Sequence, residues 1–251
     1  MLSKKNRFNL EKRFEKNIEN NFKNFLKKKK LKESYKEIYK IITKNIKKNH
    51  NNLEIGSGFG YLKKYIKKLT TSDYPKNKFV DKEIDAYSMN YKIKYDNIIL
   101  IHVLHHFEHP KRALSQFYKT LNKDGQLIIA DVHLGLLPKV IFKLFHHEPI
   151  EMKTKISLIE KKINSSKYFA NQSYYQRIIL NNECQIRSKF YTLKKVYQWS
   201  DFRYLFTGGF TNKQYLPDII LSLIHILDKK LFYLSPSIFS VRGVAILKKN
   251  N

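Results

Sequence analysis

The chain has 251 residues, 42% of them hydrophobic and 14% aromatic, enough to bury one core without disulfides or metal and too apolar for global disorder. Its single cysteine, Cys184, excludes a disulfide framework and a four-cysteine zinc site, and fits a reducing, cytoplasmic setting. Lys and Arg number 49 against 21 Asp and Glu, a formal charge of +28 that attracts anionic partners; yet only seven of the basic residues are Arg, the side chain suited to bidentate phosphate reading, and the joint abundance of Lys, Asn and Ile also fits an AT-rich coding bias.

Residues 1–48 read as a basic helical arm, net +12, with the run Lys27-Lys28-Lys29-Lys30 solvated. Phe14, Ile18, Phe22, Phe25 and Leu26 keep helical spacing, so an amphipathic helix is expected there, resting on the domain or weakly on an anionic membrane surface or RNA. Asn, Lys and Glu interrupt the first thirty residues, so secretion is not expected. The longest apolar stretch, Ile219 to Leu227, is about half of the roughly 20 residues that span a bilayer, and no transmembrane helix is predicted.

Residues 49–251 read as one domain. Tyr35, Ile38, Tyr39, Ile41, Ile42 and Ile46 predict a helix leading into it. A short strand, Leu53 to Ile55, a glycine-rich turn and a helix through Tyr61, Leu62, Tyr65, Ile66 and Leu69 follow. Ile98-Ile99-Leu100-Ile101 is an all-apolar strand of the kind buried on both faces of a parallel sheet. A helix from Pro110 comes next, then the turn Asn122-Lys123-Asp124-Gly125 and the apolar strand Leu127 to Ala130, ending at Asp131. A strand near Arg187–Leu193 and a last strand from Ile238 to Leu247 complete the elements. The alternation predicts an α/β, Rossmann-like doubly wound sheet, mostly parallel with an antiparallel C-terminal strand, whose ligand lies beyond the carboxyl ends of the strands. Aromatic-rich segments at about 134–184 and 197–236 are expected to form a lid.

The sharpest motif is Glu54-Ile55-Gly56-Ser57-Gly58-Phe59-Gly60 between strand and helix, where bare main chain can approach a ligand. A dinucleotide fingerprint would require a third glycine where Tyr61 stands. An acid before the first glycine sits badly beside a pyrophosphate and well beside a cation. S-adenosylmethionine, with its sulfonium and ammonium groups and no phosphate, suits the loop.

In these residues the sequence resembles the class I S-adenosylmethionine-dependent methyltransferases, with a methyltransferase type 11-like character in Phe145-His146-His147-Glu148-Pro149 and Leu205-Phe206-Thr207-Gly208-Gly209-Phe210. Asn52 to Gly60 resembles motif I, and Leu69 to Asp73 the second strand. Val80 to Ala86 resembles the third-strand region, Tyr95 to His106 the fourth strand and its exit, and Leu121 to Gly125 the turn before strand five, where Asp124 and Gln126 replace Pro and Gly. The resemblance implies an enzyme that uses S-adenosylmethionine, bound by Glu54, Gly56, Ser57, Gly58, Gly60, Asp73, Asp85, Ala86, Ile101 and His102, with Asp73 on the ribose hydroxyls and Asp85 and Ala86 at the adenine edge.

Methyl transfer is an in-line displacement, so alignment and exclusion of water dominate and a base is optional. The strand-four exit lacks the Pro-Pro-aromatic loop of enzymes that methylate base amines, which favours a small-molecule acceptor, lipid-linked or glycan-related. His105, His106 and His133 are the candidate proton acceptors. His102, His105, His106 and His109 would share one helical face, but no acidic cluster accompanies them along the chain, and no metal is assigned. The rival readings are an RNA methyltransferase, favoured by charge, and a non-catalytic protein with a vestigial fold.

Overall fold

The computed structural model describes residues 17–47, 49–145, 148–156 and 169–250. Phe14, His146 and His147, singled out in the sequence, lie outside them. Residues 17–27 are helical, followed by α1 (Lys29–Asn45), β1 (Asn52–Ile55), β2 (Leu69–Asp73), β3 (Lys82–Glu83), β4 (Tyr95–Ile101), α2 (Pro110–Thr120), β5 (Leu121–Val132) and α3 (Leu136–Phe145). After a π-helical turn at Tyr175–Leu180 come α4 (Ile186–Lys189), β6 (Tyr191–Trp199), α5 (Phe202–Phe206), α6 (Asp218–Leu234), α7 (Pro236–Phe239) and β7 (Arg242–Lys249).

The seven strands form one sheet in the order β3-β2-β1-β4-β5-β7-β6. Pairings from β3 to β5 are parallel, while β7 runs antiparallel to both β5 and β6. The doubly wound, mostly parallel sheet with its antiparallel C-terminal strand is thus the expected one.

Strand alternation divides the apolar residues between two faces. Ile98, Leu100, Leu127, Ile129, Ala245 and Leu247 pack with Ala113, Leu114 and Phe117 of α2 and with Tyr175 and Ile178. Ile99, Ile128, Ala130, Val244 and Ile246 point the other way and meet Tyr35, Ile38, Tyr39 and Ile42 of α1. The i, i+3, i+4, i+7 stripe of α1 is therefore core. The lysine run is not uniformly solvated: Lys28 Nζ donates to Gly209 O at 2.7 Å and Lys30 pairs with Glu33 at 3.0 Å.

Four elements depart from expectation. The helix through Leu69 shrinks to a 3₁₀ turn, Tyr61–Lys64, because Leu69 is claimed by the sheet as the partner of Asn52. The third-strand region keeps only Lys82–Glu83 in the ladder. The strand near Arg187–Leu193 shifts to Tyr191–Trp199, since 186–189 close a helical turn. The final strand starts at Arg242, because Pro236 opens a short helix.

Candidate active site

The glycine loop leaves β1 at its carboxyl end, and Gly56, Gly58 and Gly60 all have positive φ, at 66°, 55° and 62°. At the first and the last, space also forbids a side chain: a Cβ on Gly56 would sit 2.6 Å from Val103 Cγ2, and one on Gly60 2.9 Å from the main-chain oxygen of Phe79. A Cβ on Gly58 would meet nothing within 4 Å, so the main chain there faces open space. The loop is tied to β2 by its own polar atoms. Ser57 N donates to Ser72 O at 2.8 Å, Ser72 N donates to Ser57 Oγ at 3.0 Å, and Gly58 N donates to Asp73 Oδ2 at 3.2 Å.

Glu54, Ser57, Gly58 and Asp73 thus form one cluster. Glu54 is 4% exposed, and its Oε2 has no hydrogen-bond partner. Burial first, offset by a hydrogen bond from Ser57 and reinforced by Asp73, pushes the Glu54 carboxyl up to about 8. Burial likewise raises Asp73 to about 6, against hydrogen bonds from the Tyr74 and Gly58 amides. An orphaned buried carboxyl oxygen beside unobstructed main chain fits a small guest that brings positive charge or hydrogen-bond donors. Asp85 caps its own turn through the Tyr87 amide at 2.8 Å, and Ala86 packs in the core beside Ile55. Ile101 packs on the α1 side of the sheet.

An aromatic cover lies over the loop. Phe59 stacks between Phe22 and Phe25 of the first helix, with ring centroids 5.3 and 5.0 Å away, and meets Phe210 at 5.3 Å. Asn24 Nδ2 donates to Phe210 O at 2.9 Å, so helix and loop close together.

Next to this cover, at the carboxyl ends of β4 and β5, is a cavity of about 370 Å³. His102, His105 and His106 line it, as do Phe142 and Glu148 from the first expected lid segment and Tyr204 and Phe210 from the second. His133 does not line it; its ring lies 6.0 Å from Tyr175. The four histidines do not share a helical face. Leu104–His106 is a 3₁₀ turn, His102 precedes it at φ 56°, and His109 lies just before α2, its ring 6.3 Å from that of Tyr87.

His102 is wedged between Asp131, 3.4 Å from its Nδ1, and Arg242, which contacts its Nε2. Burial, then the Arg242 charge, lowers it to about 4 despite Asp131. Arg242 is fully buried, 3.5 Å above the Tyr204 ring, and paired with Asp201 at 3.3 Å. His105 Nδ1 donates to both Asp131 oxygens at 2.8 and 3.0 Å, and its Nε2 lies 3.7 Å from Glu148 Oε2. Burial works against charge on His105, but Asp131 and then Glu148 raise its pKa overall. His106 Nδ1 donates to Phe169 O at 3.1 Å, and burial lowers that ring to about 4.

Sequence reasoning missed Asp131 and Arg242 as members of the site; it placed Tyr204 only in the expected cover and Glu148 only beside the His146-His147 pair. One signal was available: an arginine opening an otherwise apolar strand, as Arg242 does in β7, needs a buried partner. For Glu148 the signal was only its place in the Phe145–Pro149 motif, and its approach to His105 comes only through tertiary folding.

Residues 27–151 match a family model described as "Methyltransferase domain". Among solved structures, the fold is similar to a SAM-dependent methyltransferase from Archaeoglobus fulgidus, at 15% identity over 84% of this chain and 94% of that one, TM-score 0.44. It is also similar to magnesium protoporphyrin IX methyltransferase from Synechocystis PCC 6803 with bound SAH, at 11% identity over 88% and 86% of the two chains, TM-score 0.46. A third likeness is to the cyclase SpnF, at 12% identity over 85% and 80%, TM-score 0.49. At these identities the likeness is one of overall fold. A comparison with curated proteins gives no match.

Proposed function

We propose, for a chain that belongs to the class I S-adenosylmethionine-dependent methyltransferases, that the methyl acceptor is a small, lipid-linked molecule whose reacting atom sits at the His105, His106 and Glu148 corner of the cavity. The chain is an enzyme, and S-adenosylmethionine is its cofactor. When bound, the cofactor supplies an electrophilic methyl: the S–CH₃ bond breaks as the bond to the acceptor forms, and the electron pair stays on sulfur. Glu54, the Gly56–Gly60 main chain and Asp73 hold it; Asp85, Ala86, Ile101 and His102 flank the nucleoside end. His105, steadied by Asp131, and Glu148 draw the acceptor's proton toward the corner. Phe22, Phe25, Phe59 and Phe210 exclude water, which would otherwise compete as acceptor.

The observation that carries this reading is the partnerless Glu54 Oε2 beside the open face of Gly58. The lipid-linked character is supported by α3, which lines the cavity with Ile141 and Phe142 while Leu136, Val140 and Leu144 of the same helix are 63%, 54% and 69% exposed. Calorimetry with S-adenosylhomocysteine tests the cofactor site. At Gly58→Arg the Cβ meets no protein atom within 4 Å, though the left-handed backbone there strains any side chain, so a variant shown by circular dichroism to be folded that no longer binds reports on the guest; Asp73→Ala is expected to weaken binding by about 100-fold, the loss of two charge-assisted hydrogen bonds. Unchanged binding in either variant would refute the assignment.

A further inference from the structure

We propose that His105, His106 and Glu148 form a binding site for one divalent transition-metal ion in the acceptor cavity. This rests on the methyltransferase reading only for the ion's role, not for its existence. One ligand atom from each of the three side chains lies within 4.8 Å of the others. Around an ion bound at about 2.0–2.1 Å, tetrahedral ligand atoms are about 3.4 Å apart, a contraction that side-chain rotation can supply.

Each ligand is already oriented as a metal site requires. A histidine that binds metal through one nitrogen donates its other N–H to a carboxylate or carbonyl, and a ligating carboxylate is itself hydrogen-bonded. His105 donates Nδ1–H to Asp131, and His106 donates Nδ1–H to Phe169 O, so coordination falls to Nε2 in both rings. Gln172 Nε2 donates to Glu148 Oε2. Asn171 N donates to His105 O at 2.8 Å, pinning the segment that carries Phe169 and Gln172 against the histidine turn. Three such supports around three ligands exceed what a single buried ion pair needs. Asp131 and Glu148, 1% and 9% exposed, both approach the same imidazole, so the two carboxylates fix the His105 ring from its two sides.

Two imidazoles and one carboxylate suit Zn²⁺, Co²⁺ or Mn²⁺ rather than Mg²⁺ or Ca²⁺, and three protein ligands leave a position open. That position opens on the cavity. An acceptor hydroxyl coordinated there would be more acidic and would present its oxygen to the methyl group; with the ion bound, His105 Nε2 and Glu148 are engaged as ligands and the proton would leave to water instead of to them.

The test uses the full chain, freed of metal by chelation and titrated with Co²⁺. The expected result is one equivalent bound, with the visible d–d bands of a four- or five-coordinate ion, displaced by Zn²⁺. His106→Ala and Glu148→Gln should lose the bands and weaken binding by about 100-fold; Gln172→Ala, which leaves all ligands in place, by about 10-fold. His50→Ala, at the opposite ends of the strands, should change nothing. A wild-type chain without the bands, or bands that survive in both ligand variants, overturns the site. S-adenosylhomocysteine calorimetry on the same samples separates the two ideas. Nucleoside binding without cobalt bands refutes the metal and leaves the methyltransferase reading standing, whereas cobalt bands without nucleoside binding do the reverse.

Discussion

Glu54 and Asp73 carry a measurable consequence of where they are buried. Both carboxyls have folded-state pKa values raised above their ordinary range, to about 8 and about 6 respectively, with burial the leading cause. A group raised in this way contributes stability that is complete below its unfolded value and is lost as pH climbs through the folded one. The ligand-free protein should therefore lose stability between about pH 5 and 8, on the order of a few kcal/mol for the nearly inaccessible Glu54. A guest bearing a sulfonium and an ammonium favours the ionised carboxylate, so binding at pH 7 should release close to one proton, and affinity should rise from pH 6 to 8. Calorimetry in two buffers with different ionisation enthalpies reads the proton count directly. Glu54→Gln should abolish the buffer dependence and flatten the decline of Tm with pH. Equal heats in both buffers for the wild-type chain would show that Glu54 does not face the guest.

The first helix and α1 show how much an element's surroundings decide what its pattern means. The helical stripe from Ile18 to Ile46 was legible, as were β1, β4, β5 and the start of α2, because apolar runs and a proline at the first turn are local signals. What the stripe faces was not legible, since amphipathicity records that a face is buried and not against what. Phe25 is fully buried, with ring centroids 4.8 Å from Tyr61, 5.0 Å from Phe59, 5.7 Å from Tyr35 and 5.8 Å from Phe210. It joins the glycine loop, α1 and the loop after α5 in one contact. Truncating such a ring costs about 3–5 kcal/mol. Phe25→Ala should lower stability by that amount in urea and weaken S-adenosylhomocysteine by at least 10-fold, because the cover over the loop loses its centre. Leu26→Ala, at a position 41% exposed, should do neither. The same limit explains the acceptor corner: His105 and His106 could be marked in the sequence, but their partners Asp131, Glu148, Phe169 and Gln172 come from separate parts of the chain. Helical spacing misleads here, since only Leu104–His106 form a 3₁₀ turn, with His102 left-handed before it and His109 beyond it at the start of α2.

Charge and apolar surface have to be considered together over the molecule. No described helix is long and apolar enough to cross a membrane. On α6, however, Ile219, Leu223, Ile226, Leu227 and Leu234 are 72%, 62%, 59%, 52% and 77% exposed, and α7 bridges α6 to α3, whose own exposed leucines adjoin the cavity. Exposed apolar faces of this extent on neighbouring helices mark an interaction surface. Under the lipid-linked reading proposed above, the formal charge of +28 and this apolar face together fit an anionic lipid surface, whereas RNA fits only the charge. An apolar side chain moved from water to the acyl boundary gains about 1.5–3 kcal/mol, and each lysine near an anionic headgroup layer adds about 1 kcal/mol. Two or three inserted residues with a few lysines are enough for reversible binding. The chain should cosediment with vesicles containing phosphatidylserine and much less with phosphatidylcholine alone, and added salt should weaken the association. Leu223→Glu with Ile226→Glu should reduce vesicle binding by at least 10-fold and leave S-adenosylhomocysteine affinity intact, since neither residue lines the cavity. If the wild-type chain ignores anionic vesicles at low salt but is retained by RNA, and the double variant is retained equally well, the lipid-linked acceptor is refuted and the charge serves a nucleic acid.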